Sequence, residues 1–233
     1  MKRIGTTLKE KWPEYILEIL VITIGILGAF ALNSWNDESN REEAELKILK
    51  EIKSNLELDL IDLNENRTGH FQNLQRLDSL KRAEEFQLTK EQVATNFYSA
   101  FRDYIYTPQR SAIETLTAKG VDLISDDSLR IAILRLYDFY TASLVKIEED
   151  YQPSQFTDDF IYIQNKYYLR MDFNGDSHQI QPVFSGYDWS TNQDVIIRID
   201  RTMMQRRWIV KQYDQCIQLV QETINHINEK FED

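Results

Sequence analysis

Few side chains in this 233-residue chain are of the types that perform reactions, and their spacing limits what they could do. The histidines are His70, His178 and His226. Hydrolysis by a serine or cysteine needs a histidine beside the nucleophile and a third group to orient it. His70 and His226 fall on polar stretches of predicted helices and His178 in a predicted loop, where exposed or structural imidazoles are expected. His226 and Glu229 share a helix face, but a bundle di-iron centre takes a Glu-x-x-His on each of two helices plus further glutamates. Asp172-Phe-Asn174-Gly175-Asp176 lacks the twelve-residue spacing and final glutamate of a calcium loop and reads as a turn. No glycine-rich phosphate loop occurs. We therefore expect no enzyme, no cofactor and no metal site.

Two other features have binding chemistry. Arg198, Arg201, Arg206, Arg207 and Lys211 form one local basic cluster, expected mainly to pair with nearby acids and secondarily to dock an anionic ligand or acidic partner. Cys216, the only cysteine, falls on the apolar side of a helical pattern and reads as a buried inert thiol. With one cysteine the chain forms no internal disulfide, so stability comes from packing.

The element that positions everything else is the run Ile16-Leu-Glu-Ile-Leu-Val-Ile-Thr-Ile-Gly-Ile-Leu-Gly-Ala-Phe-Ala-Leu32. With its flanks it reaches the ~20 residues that cross hydrocarbon as a helix. Trp12 and Tyr15 precede it and Trp35 follows it, where amphipathic rings favour the membrane interfaces. Glu18 lies about one turn inside, within reach of headgroups or water. We expect a tail over 1–14, a transmembrane helix over 15–35 and a domain over 36–233. Lys2, Arg3, Lys9 and Lys11 precede the run, whereas Asn36-Asp-Glu-Ser-Asn-Arg41-Glu-Glu follows it, which predicts a cytoplasmic N-terminus and a domain outside. Ala29-Phe-Ala31 leaves a cleaved signal peptide as the competing reading.

The formal charge of the chain is −11, and the first 14 residues carry a net of +2. The strongly acidic remainder repels phosphate backbones, which argues against a nucleic-acid partner. Seven glycines and four prolines predict long helices and few turns. Leu49, Ile52, Leu56, Leu60 and Leu63 recur at three and four, predicting one helix continuous with the anchor to about residue 86, with Gly69 as a weak point or kink. Thr89 with Gln92 and Ser111 with Glu114 have capping-box spacing. Ile124-Ser-Asp-Asp-Ser128 supplies a further cap, and a helix is expected from Ser154 to about Arg170. Residues 172–190 read as the main loop. Thr191 and Asp194 cap a last helix in which Val210, Tyr213, Ile217, Val220, Ile224, Ile227 and Phe231 follow a heptad seam. The expected fold is all-α: a transmembrane helix continuing into an antiparallel helical bundle with coiled-coil-like first and last helices.

The segment Glu18-Ile-Leu-Val-Ile-Thr-Ile-Gly-Ile-Leu with Asn33-Ser-Trp35-Asn36, and Ser111-Ala-Ile-Glu-Thr-Leu with Asp122-Leu-Ile-Ser-Asp-Asp-Ser-Leu129, resembles an uncharacterised family of single-pass bacterial membrane proteins common in Bacteroidota. The resemblance implies an inner-membrane anchor and an outward helical domain, and it transfers no activity. The function expected from these readings is a membrane-anchored scaffold or interaction protein contacting the bilayer and another envelope protein or a second copy of itself. The alternative is a small-molecule sensor domain that signals through a partner.

Overall fold

The computed structural model describes residues 2–149, 156–167, 170–173, 180–183 and 191–232. It divides into two compact units, residues 1–50 and 51–233. Helix α1, Lys2–Lys81, contributes to both and is unbroken across the expected boundaries at 14/15 and 35/36.

In the first unit the apolar run is helical and bare. Its most apolar 18-residue window has a mean hydropathy of 2.3, and none of that window is buried by protein. The segment is thus long and apolar enough to span a membrane. Its one threonine satisfies its own hydroxyl by donating to the Ile19 carbonyl at 2.7 Å, as a side chain without water must.

In the second unit, Ile52, Leu56, Leu63, Leu77 and Leu80 of α1 are buried at helical spacing. The helix ends at Lys81, earlier than the expected residue 86. The chain turns there through Gln87, whose φ of 50° is left-handed, while the Arg82 guanidinium stacks 4.3 Å from the Phe86 ring. Helix α2, Lys90–Ala100, opens with the expected capping box: Thr89 and Gln92 exchange backbone-to-side-chain bonds of 2.8 and 3.2 Å. Helix α3, Ser111–Lys119, opens differently from expectation. The Ser111 hydroxyl accepts from Asn55 at 3.0 Å, and Arg110 holds the cap position in a helical conformation with no side-chain cap.

Helix α4, Asp127–Arg135, is capped by Asp126, whose Oδ1 accepts from the Ser128 and Leu129 amides. It continues through a π-helical stretch, Leu136–Thr141, into α5, Ala142–Glu149. Helix α6 spans Thr157–Lys166, inside the expected 154–170; the expected start at Ser154 lies outside the described residues. The all-α expectation is corrected at 170–183. Strands β1, Arg170–Phe173, and β2, Ile180–Val183, pair antiparallel, with Met171 opposite Pro182. Four-residue strands are too short to show a period, and a two-stranded sheet has only edges, where proline is tolerated. Most of the expected calcium-like turn, Asn174 to Asp176, and His178 lie outside the described residues.

Helix α7, Gln193–Glu232, buries Val210, Tyr213, Val220, Ile224 and Ile227 of the expected seam. Ile209, Cys216 and Thr223 are buried beside them. That stripe is wider than a two-position heptad seam and suits a globular core. At one end of this unit Leu77, Leu80, Val93, Phe97, Ile163 and Ile199 form a core cluster, with Phe97 stacked on Phe160 at 5.1 Å.

Candidate functional site

Residues 102–110 join α2 to α3 as an extended strap without regular structure. Only Tyr106 of the strap is buried and most of its other residues are exposed, yet its backbone polar groups need partners on the side that faces the helix, and α1 supplies them from one row of side chains. Asn73 Nδ2 donates to the Arg102 carbonyl at 2.8 Å, His70 Nε2 lies 3.2 Å from the Tyr104 carbonyl, and Asn66 Nδ2 donates to the Ile105 carbonyl at 3.2 Å. Asp62 accepts from the Thr107 amide at 3.0 Å and Asp59 from the Gln109 amide at 2.8 Å. Positions 59, 62, 66, 70 and 73 are three and four apart, so they occupy one helix face. The strap therefore runs opposite to α1, bonded to a ladder of side chains where a strand would use another backbone.

Gly69 sits in this row. A Cβ there would lie 2.3 to 2.5 Å from atoms of the Tyr104 ring. The glycine leaves room for the Tyr104 ring against α1, and the helix passes through it without ending.

Around the middle of the strap lies a cluster of buried charge. Arg206 of α7 is fully buried, donates to His70 Nδ1 at 2.8 Å and to the Arg102 carbonyl at 3.1 Å, and lies 4.1 Å from the Phe156 ring. Because arginine only donates, Nδ1 of His70 is the acceptor, and the ring proton sits on Nε2, facing the Tyr104 carbonyl and Glu148 at 3.7 Å. Glu148 accepts from the Tyr106 amide at 2.9 Å and from the Tyr213 hydroxyl. Burial pulls the Arg206 guanidinium down to about 10, against the pull of Asp103, so it stays cationic at neutral pH. Partial desolvation raises Asp103, an exposed residue at the edge of the cluster, against the pull of Arg206. The Arg206–His70–Glu148 core of the cluster is closed to solvent, and its groups already bond α1, the strap, α5 and α7. It holds these elements together.

The expected basic cluster divides into three. Arg198 and Arg201 converge on the buried Asp159 of α6, Arg198 at 2.9 Å and Arg201 through Nε at 3.0 Å, with Thr202 adding a bond of 3.3 Å. Arg198 also stacks 3.7 Å from the Tyr162 ring. Arg206 belongs to the buried cluster and is itself fully buried. Arg207 and Lys211 are exposed. Trp12, Tyr15, Glu18 and Trp35, the expected interface residues, are all exposed.

Of the histidines, each expected to be exposed or structural, His70 is buried although it lies on a polar stretch of sequence. His226 is half-buried, with Nε2 3.4 Å from both Ser128 Oγ and Asp126 Oδ2. One imidazole nitrogen facing both groups cannot relay a proton from serine to carboxylate. Among the described residues no group of three or more His, Cys, Asp or Glu is placed to hold a metal. Cys216 is buried, and burial pushes its thiol up to about 12. A pocket of about 260 Å³ opens between α7 and the α4/π-helical stretch, lined by Arg135, Leu136, Tyr140, Thr223 and His226 among others.

Sequence reasoning missed the ladder because it followed apolar periodicity. The signal was present: Asn55, Asp59, Asp62, Asn66, His70 and Asn73 repeat at three and four beside the leucines.

A model of a family of unknown function, DUF6090, matches residues 18–180. No curated protein and no solved structure matches the chain.

Proposed function

Since the chain belongs to the DUF6090 family of unknown function, we propose from its own residues that it is a membrane-tethered helical scaffold or interaction module without catalytic activity. The observation that carries this reading is the bare apolar helix over 15–35, which no protein surface covers. A bilayer is the environment that such a segment requires. Four Lys/Arg before the segment support a cytoplasmic N-terminus and a domain outside, in the periplasm of a bacterium with the anchor in its inner membrane. Beyond residue 51, α1 and α7 run antiparallel as the outer members of a helical bundle. The pairs Arg67–Asp214 at 2.8 Å and Lys81–Asp200 at 2.7 Å support this, because the numbering rises on one helix as it falls on the other.

The interaction role is supported by where the polar chemistry is used. Arg198, Arg201, Arg206, His70 and Glu148 are engaged within the domain. Docking to another envelope protein or a second copy then falls to exposed groups such as Arg207 and Lys211. Chemical cross-linking in native membranes followed by mass spectrometry tests this. A reproducible partner or self-link is the expected result, and recovery of background alone counts against it.

The second reading, a small-molecule sensor acting through a partner, draws on the pocket beside the π-helical stretch, since such stretches recur at functional sites. A ligand bound there raises the melting temperature in a thermal-shift screen.

A further inference from the structure

Asp59 is 1% exposed, and its carboxyl is a fully buried acidic rung of the ladder. From the strap it faces Tyr106, from the π-helical stretch Tyr137 and from α7 the Cys216 thiol. Asp62, on its own helix, adds an anion. Arg110 acts on Tyr137 but is itself paired with Glu114 at 3.7 Å, and among the described residues no cation forms an ion pair with Asp59. Oδ1 accepts from the Gln109 amide, whereas Oδ2 and the buried hydroxyls of Tyr106 and Tyr137 make no hydrogen bond of good geometry; the Tyr106 hydroxyl lies near enough to the carboxyl to favour its ionised form, but burial outweighs this. An ionised carboxylate is costly in such a place, while a protonated one is neutral and gains a donor where hydroxyl oxygens need one.

We propose that Asp59 is a proton-operated latch on the C-terminal end of the strap. Protonated, its carboxyl rests in the core and holds Gln109. On losing its proton to solvent, the carboxylate is drawn toward water and the strap loosens from α1 around residues 106 to 109. Burial raises this carboxyl from 3.8 to about 6, which gives the direction. The closed fold binds the proton more tightly than the open chain, so closure is complete below pH 4, weakens as pH rises through about 6, and changes no further above that.

Hydrogen exchange of the full chain in detergent micelles, read as protection factors from pH 4 to 8, tests the latch. The Tyr106 and Gln109 amides are expected to lose roughly tenfold or more of protection across the transition, while Val220 and Ile224 in α7 hold theirs. In Asp59→Asn, which keeps an acceptor for Gln109 and cannot ionise, the strap profile becomes flat. A flat wild-type profile overturns the proposal. So does α7 losing protection in step with the strap, or an Asp59→Asn profile that still bends near pH 6. The wild-type profile decides the matter by itself if the variant does not fold.

Discussion

Substituting Gly69 separates two effects that usually act together. Alanine favours a helix interior over glycine by about 1 kcal/mol, but here its methyl would meet the Tyr104 ring. Overpacking of this kind costs about 1–3 kcal/mol, so Gly69→Ala is expected to lower the denaturant midpoint; a raised midpoint would show that the ring moves aside freely. Asp126 supplies a pH signature of opposite sign to Asp59. Amide and hydroxyl bonds from Leu129 and Ser128 hold its carboxyl at about 2, below the usual 3.8. Its contribution is present above pH 4 and lost as pH falls toward 2. Asp126→Ala is expected to cost about 1 kcal/mol at neutral pH, as lost helix caps do, with wild type and variant converging in acid. The residues behind these effects were unequally legible. The Asp126 cap follows from local order, because capping is a relation between neighbours in sequence. The burial of His70 and Arg206 was not visible, since the groups that satisfy each lie far off in sequence and 136 residues separate the two.

At the level of elements, the strap tests whether a row of side chains can stand in for a strand. Asn66→Leu removes the donor both to the Ile105 carbonyl and to Asp62 Oδ1, while Asp62 Oδ2 still accepts from the Thr107 amide. Loss of these part-buried bonds is expected to cost about 1–3 kcal/mol, measurable by denaturation, with strap exchange rising before that of α7. An effect confined to global stability would mean that the ladder does not act rung by rung. Long helices were legible because α1 and α7 repeat their apolar residues over many turns. The Thr89–Gln92 box was legible because both partners are local. Ser111 was misread because a distant side chain, Asn55, takes its hydroxyl, and β1 and β2 because four residues show no period.

For the whole molecule, the anchor makes the simplest demand. The full chain is expected to sediment with membranes, resist alkaline extraction and be released by detergent, whereas a chain lacking residues 1–35 is released by buffer alone. Mass spectrometry of the native N-terminus separates anchor from signal peptide: an N-terminus near Leu32 would remove the anchor and the topology with it. The apolar run was fully legible because membrane spanning depends on composition and length, both of which are sequence properties.

The strap is held by its backbone, and this divides the freedom to mutate between two segments. The side chains of α1 read carbonyls and amides that every residue type presents, so most strap positions can drift without loosening their hold. The exceptions follow from geometry: proline is forbidden at Tyr106, Thr107 and Gln109, whose amides donate, and Pro108 occupies the neighbouring position where no recorded bond uses a backbone N–H. Across relatives, Asn66, Asn73 and their neighbours on α1 should therefore vary less than the strap they bind, although they touch none of its side chains through these bonds.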